Sequence, residues 1–96
     1  IALSSRLKRL NDESLEKIKI IFDVLLNMRH QMTDGNEFED VKIAARRQIE
    51  RCNIIIEYLE HRKNDTLELA NGQLHDTSIF IAYTIGNIRL IDNLQI

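Results

Sequence analysis

Along the first third of the chain apolar residues recur at steps of three and four: Leu3, Leu7, Leu10, Ile18, Ile21, Leu25, Met28 and Met32, with Ser14 as the one polar member. That spacing draws a single stripe on one side of an α-helix and predicts a helix over residues 2–32. The run Asn11-Asp12-Glu13-Ser14 inside it reads as a kink or an N-cap. Thr33-Asp34-Gly35-Asn36 then breaks the pattern: Gly35 suits a left-handed helix terminus, and Asn36 with Glu39 reads as a capping pair. A second stripe, Val41, Ala45, Gln48, Cys52, Ile55 and Leu59, predicts a helix over 37–62. After Lys63-Asn64-Asp65, where Asp65 and Glu68 repeat the capping signature, a third stripe begins. It comprises Leu67, Ala70, Leu74, Thr77, Ile81, Thr84, Ile88 and Ile91, and predicts a helix over 66–94. Gly72 and Gly86 would sit inside it at about 1 kcal/mol each against alanine. Helices of similar length with short connections fold back on one another. The expectation is an all-α, antiparallel three-helix bundle forming one domain over residues 1–96.

Composition supports that reading. Aromatics are 5% of the 96 residues, proline is absent and glycine occurs three times, so the turn residues an all-β fold needs every ~8–12 positions are missing. A net charge of −2 argues against nucleic acid and anionic membrane as partners, and Arg6, Lys8 and Arg9 read as a solvated helix side. No apolar stretch reaches the ~18 residues of a membrane span. Cys52 is the only cysteine, which excludes an intrachain disulfide. Residue 1 reads as a boundary within a longer protein, with further domains upstream or downstream.

No catalytic constellation emerges. His30 and His61 fall near predicted helix C-termini, without a second ligand three or four positions on, and are expected at the surface. His75 and Asp76, being adjacent, should diverge on a helix. Cys52 lies on the second stripe and is expected to be buried and slow to react. There is no Gly-rich phosphate loop and no nucleophile elbow; the chain reads as a non-enzyme, with no cofactor and no metal. What remains is apolar surplus. Ile20 and Val24 stand off the first stripe, and Leu69 and Phe80 stand off the third; they either widen the core or stand singly on the surface, or they form candidate binding patches.

The order of these features resembles the GAT domain of VHS-containing sorting adaptors, the GGA and Target-of-Myb-like proteins. The resemblance is carried by the run Ile20 to Leu26, by Gln48-Ile49-Glu50-Arg51-Cys52, and by Leu67 to Leu74 with Asn71, Gln73 and Leu74 in register. It implies a module that binds ubiquitin or ubiquitinated cargo, one site on Ile20 and Val24 and another around Leu69, Gln73, Asp76 and Phe80. It also implies other trafficking proteins as partners, and a cytoplasmic location peripheral to endosomal or trans-Golgi membranes. Gly72 departs from the acidic residue of that family, so Gly72→Asp is expected to strengthen ubiquitin binding and stabilise the third helix. The alternative is a structural assembly domain that pairs with a second copy or subunit through Ile79, Tyr83 and Leu90 of that helix.

Overall fold

A computed structural model describes residues 12–96. Leu3, Leu7, Leu10, Arg6, Lys8 and Arg9 lie outside the described residues. The elements run α1 (Asp12–Thr33), α2 (Phe38–Glu50), β1 (Ile55–Lys63), β2 (Thr77–Ile85) and β3 (Ile88–Gln95). The three strands form one antiparallel sheet in the order β1-β2-β3. The three-helix bundle is therefore overturned: the second predicted helix stops at Glu50, and the third is replaced by a loop and two strands.

The first helix follows its spacing. Ile18, Ile21, Leu25, Met28 and Met32 are buried, and Val24 joins them. Its end is closed by Gly35 at φ 104, whose amide donates to the Met32 carbonyl at 3.1 Å. Asn36 caps backwards, its side-chain amide donating to the Gln31 carbonyl at 3.0 Å, while Glu37 occupies the start of α2. The capping pair expected of Asn36 and Glu39 is thus not formed.

After Glu50 the chain makes one more turn, with Asn53 in the left-handed region at φ 60, the usual exit for a residue other than glycine. Ile54, Ile55 and Ile56 follow, stiff β-branched residues that favour the extended backbone. Register shifts between Ile56 and Tyr58, an irregularity that spaces the inward residues Ile56, Leu59 and His61 unevenly. An extra residue of this kind lets Ile56 and Leu59, three apart, share one face of a strand. β2 is buried on both faces along most of its length, the signature of a central strand. It turns into β3 through the two-residue connection Gly86-Asn87, with Ile85 and Ile88 paired across it and Gly86 at φ 61. Positive φ at the first of two turn residues suits glycine there.

The helices pack on one face of the sheet. Ile21, Leu25, Met28 and Ile49 meet Leu59, Ile79, Ile81, Tyr83 and Ile85 in a single core. Residues assigned to subunit pairing, Ile79 and Tyr83, are thus consumed by the chain's own interior, at 0% and 2% exposure, and Leu90 packs against the same core.

A cleft around a buried histidine

Segment 64–76, between β1 and β2, holds no helix. Leu67, Asn71, Gly72 and Asp76 all have positive φ, so the backbone reverses repeatedly. It is tied down at both ends. The Asn64 amide donates to the Asp76 carbonyl at 2.9 Å, the Ser78 hydroxyl donates to Asn64 Oδ1 at 2.6 Å, and the Ala70 amide donates to the His61 carbonyl at 3.1 Å. Asp65 and Thr66 accept local amide hydrogens within a turn rather than capping a helix.

This loop, the α1–α2 connection, the first turn of α2 and β1 surround an open cleft of about 720 Å³. Met32, Phe38, Leu69 and Leu74 supply apolar lining; Glu37, Glu39, Lys42, Glu60 and Arg62 supply charge. Arg62 is already engaged, pairing with Glu60 and donating to the Leu67 carbonyl at 2.7 Å.

His61 sits in the cleft wall at 4% exposure, which overturns its expected place at the surface. Its ring lies 5.5 Å from the Phe38 ring, and its Nε2 is 2.7 Å from the Thr77 hydroxyl. That hydroxyl donates its single hydrogen to the Leu74 carbonyl at 2.7 Å, so it must accept from the imidazole. The network therefore assigns the neutral ring its hydrogen on Nε2 and leaves Nδ1 as acceptor. Burial disfavours the imidazolium and pushes the His61 pKa below its ordinary value. On the sheet's inner face, burial and the charge of Asp92 push the Tyr83 hydroxyl up to about 12.

The residues singled out by spacing do not come together. Val24 is core, at 3% exposure, which removes it from the surface it was assigned. Ile20 is half-buried against the same core. Leu69 lines the cleft, Phe80 lies on the opposite face of the sheet, and Gln73 and Asp76 are exposed in the loop. Asp76 and His75 pair at 2.9 Å where helical divergence was expected, since no helix separates them. Cys52 is partly rather than fully buried, its thiol 3.6 Å from the Gln48 carbonyl. Among the described residues, no group of three His, Cys, Asp or Glu side chains could hold a metal ion. No helix among them is long and apolar enough to cross a membrane.

Comparison with known proteins decides what this fold is part of. The profile of the family described as pantoate-beta-alanine ligase matches residues 1–95. The chain belongs to the pantoate-beta-alanine ligase family. A pantothenate synthetase of Laribacter hongkongensis is 35% identical over 100% of this chain and 35% of its own length. One from Anaplasma marginale is 33% identical over 98% of this chain and 34% of its own length. The solved pantothenate synthetase of Thermus thermophilus superposes with a TM-score of 0.86 at 26% identity, covering 98% of this chain and 34% of that one. The chain thus spans about a third of the length of the relatives it matches.

Membership in the ligase family overturns the resemblance to a GAT domain. Ubiquitin and trafficking proteins as partners, the endosomal or trans-Golgi location and the non-catalytic adaptor role fall with it. The relatives are named for a synthesis reaction. The signals that reasoning from spacing missed were the isoleucine run after Asn53, the Thr77–Ile85 run and the Gly86-Asn87 turn.

Proposed function

We propose that this chain serves as the helix-and-sheet unit of a ligase that joins pantoate to β-alanine. The observation that carries the reading is the family match over residues 1–95. Superposition on a pantothenate synthetase of known structure supports it over nearly the same span. Joining a carboxylate to an amine expels the equivalent of water, and an ionised carboxylate resists attack by an amine. A ligase overcomes this by coupling amide formation to cleavage of a nucleoside triphosphate. The 96 residues contain no Gly-rich phosphate loop. The unit accordingly works together with a nucleotide-binding portion elsewhere in the enzyme, and contributes walls and positioning rather than the whole reaction centre.

The test is a chimera in which this chain replaces the matched third of the Laribacter hongkongensis relative. Folding is checked by circular dichroism, and the protein is then supplied with pantoate, β-alanine and a nucleoside triphosphate. Formation of pantothenate, absent when the matched third is deleted, is the expected result. A folded chimera that makes none overturns the reading.

A further inference from the structure

The loop that walls the cleft contains a tight reversal at Ala70–Gln73, where the Gln73 amide donates to the Ala70 carbonyl at 3.0 Å. The two residues between, Asn71 and Gly72, have φ of 51 and 93. Positive φ at both central positions is the mark of a type I′ turn, for which Asn-Gly is the favoured pair. The same pair is chemically labile. The side-chain amide of an asparagine is open to attack by the next backbone nitrogen, and a glycine there removes the side chain that would hinder the approach.

Asn71 is the one asparagine followed by glycine; the others precede residues with side chains, from Asp12 after Asn11 to Leu94 after Asn93. Its surroundings leave the reaction open. Asn71 and Gly72 are both exposed, and a Cβ built on Gly72 would meet nothing within 4 Å. Neither the Asn71 side chain nor the Gly72 amide makes a hydrogen bond among the described residues. No apolar clamp holds the turn, since Leu69 and Leu74 beside it are 54% and 36% exposed, and within segment 64–76 Ala70 alone is buried. Asp34-Gly35 provides the contrast, because an aspartate before glycine can cyclise in the same way. There the Gly35 amide donates to the Met32 carbonyl at 3.1 Å, and Asn36 holds the Gln31 carbonyl with both its main-chain and its side-chain nitrogen.

We infer that Asn71 is a site of self-modification, at which a neutral amide on the cleft rim becomes a carboxylate. The Gly72 nitrogen gives its proton to hydroxide and bonds to Asn71 Cγ; the Cγ–Nδ2 bond breaks, and ammonia leaves with a proton from water. A second water opens the five-membered imide at either carbonyl, leaving aspartate or its β-linked isomer, isoaspartate. Ring closure requires the backbone to leave the turn, and the single bond from Gln73 to Ala70 is what holds it there. The product places negative charge on the cleft that Glu37 and Glu39 also line. Isoaspartate further adds a methylene to the main chain directly after Ala70, whose amide ties the loop to the His61 carbonyl at 3.1 Å. Conversion therefore loosens the wall beside His61. The inference stands apart from the ligase reading.

The test is incubation of the chain at neutral and mildly alkaline pH, with folding followed by circular dichroism and each asparagine by peptide mass mapping. Parent, Asn71→Gln and guanidinium-unfolded parent are run together. In the folded parent Asn71 should convert before any other asparagine and before Asp34 isomerises. It should react faster at the higher pH, with the isoaspartyl peptide eluting apart from the aspartyl one. Folding should slow the conversion by no more than about tenfold, the population factor for opening a turn closed by one hydrogen bond. Asn71→Gln should stay intact, because the longer amide would have to close a six-membered ring. Protection beyond about tenfold in the folded chain, or first conversion at another residue, overturns the inference. Should the isolated chain not fold, the chimera with the Laribacter hongkongensis relative decides, and an intact Asn71 there, alongside conversion in the unfolded chimera, overturns it. Pantothenate formation by the chimera is a separate readout, so either idea can fail without the other.

Discussion

Replacing Thr77 by valine isolates the hydroxyl that joins β2, β1 and the loop. The side chain is fully buried, and valine keeps its shape and its preference for extended backbone. What disappears is one acceptor for His61 Nε2–H at 2.7 Å and one donor to the Leu74 carbonyl at 2.7 Å. The two losses differ in weight. Leu74 is 36% exposed in a loop, so its carbonyl can turn to water, whereas His61 is 4% exposed and its donor is stranded. A buried donor left unsatisfied costs about 1–3 kcal/mol, so destabilisation near 2 kcal/mol is expected. In urea the midpoint should fall by about 1–2 M with an unchanged slope. The same substitution made on a His61→Leu background should cost far less, because no donor is left to strand. Equal costs on both backgrounds, or a cost under about 0.5 kcal/mol in the parent, would refute the assignment of the hydrogen to Nε2.

Three further outcomes follow from the same geometry. Because burial lowers the folded-state pKa of His61, the unfolded chain takes up a proton first as pH falls. Stability should therefore be full above about 6.5 and decline below it, and in urea melts the His61→Gln variant should lack that slope, so that the difference between parent and variant carries it. Tyr83 works in the opposite direction: its pKa, raised to about 12 by burial and Asp92, keeps it neutral while the unfolded phenol ionises near 10. Stability should drop as pH rises from about 10 toward 12, and in a spectrophotometric titration Asp92→Asn should bring the late-ionising tyrosine down. Gly72→Asp, expected to stabilise a helix, should instead destabilise the protein by about 1 kcal/mol, since Gly72 has φ +93. Nothing lies within 4 Å of the added Cβ, so backbone strain alone sets that cost, and an increase in melting temperature would contradict it.

The parts of the fold that spacing revealed are those where one periodicity acts undisturbed. On α1 every third or fourth residue from Ile18 to Met32 faces the core, and nothing competes with that reading until Gly35. Past Glu50 three effects imitate a helix. The irregularity at Ile56/Tyr58 adds one residue to the two-residue period of β1, so Ile56, Leu59 and His61 fall at steps of three and two. β2 is buried on both faces, and a continuous apolar run of that length is ambiguous between a buried helix and a central strand. The loop scatters Leu67, Ala70 and Leu74 at helical intervals although Leu67 itself has a positive φ no helix accommodates. Residue type rather than spacing carried the correct signal: Ile54-Ile55-Ile56, Thr77-Ser78-Ile79-Phe80-Ile81, and the glycine-asparagine pair between two isoleucines.

The candidate site was illegible for a related reason. His61 was placed by reading it near a helix C-terminus, where an imidazole reaches solvent; on β1 the same residue points inward, opposite Ile79. Its partner Thr77 is separated from it by 16 positions, a distance that no local spacing rule spans, and only the antiparallel pairing of β1 with β2 brings the two within 2.7 Å. The outer face was hidden by the same change of period. Tyr58 and Phe80 belong to different predicted helices, yet both frame one depression once the strands are laid side by side. An error of period thus moves every side chain of a segment to a different neighbour, which is why reading β1 and β2 with a helical period displaced both the site and the surface.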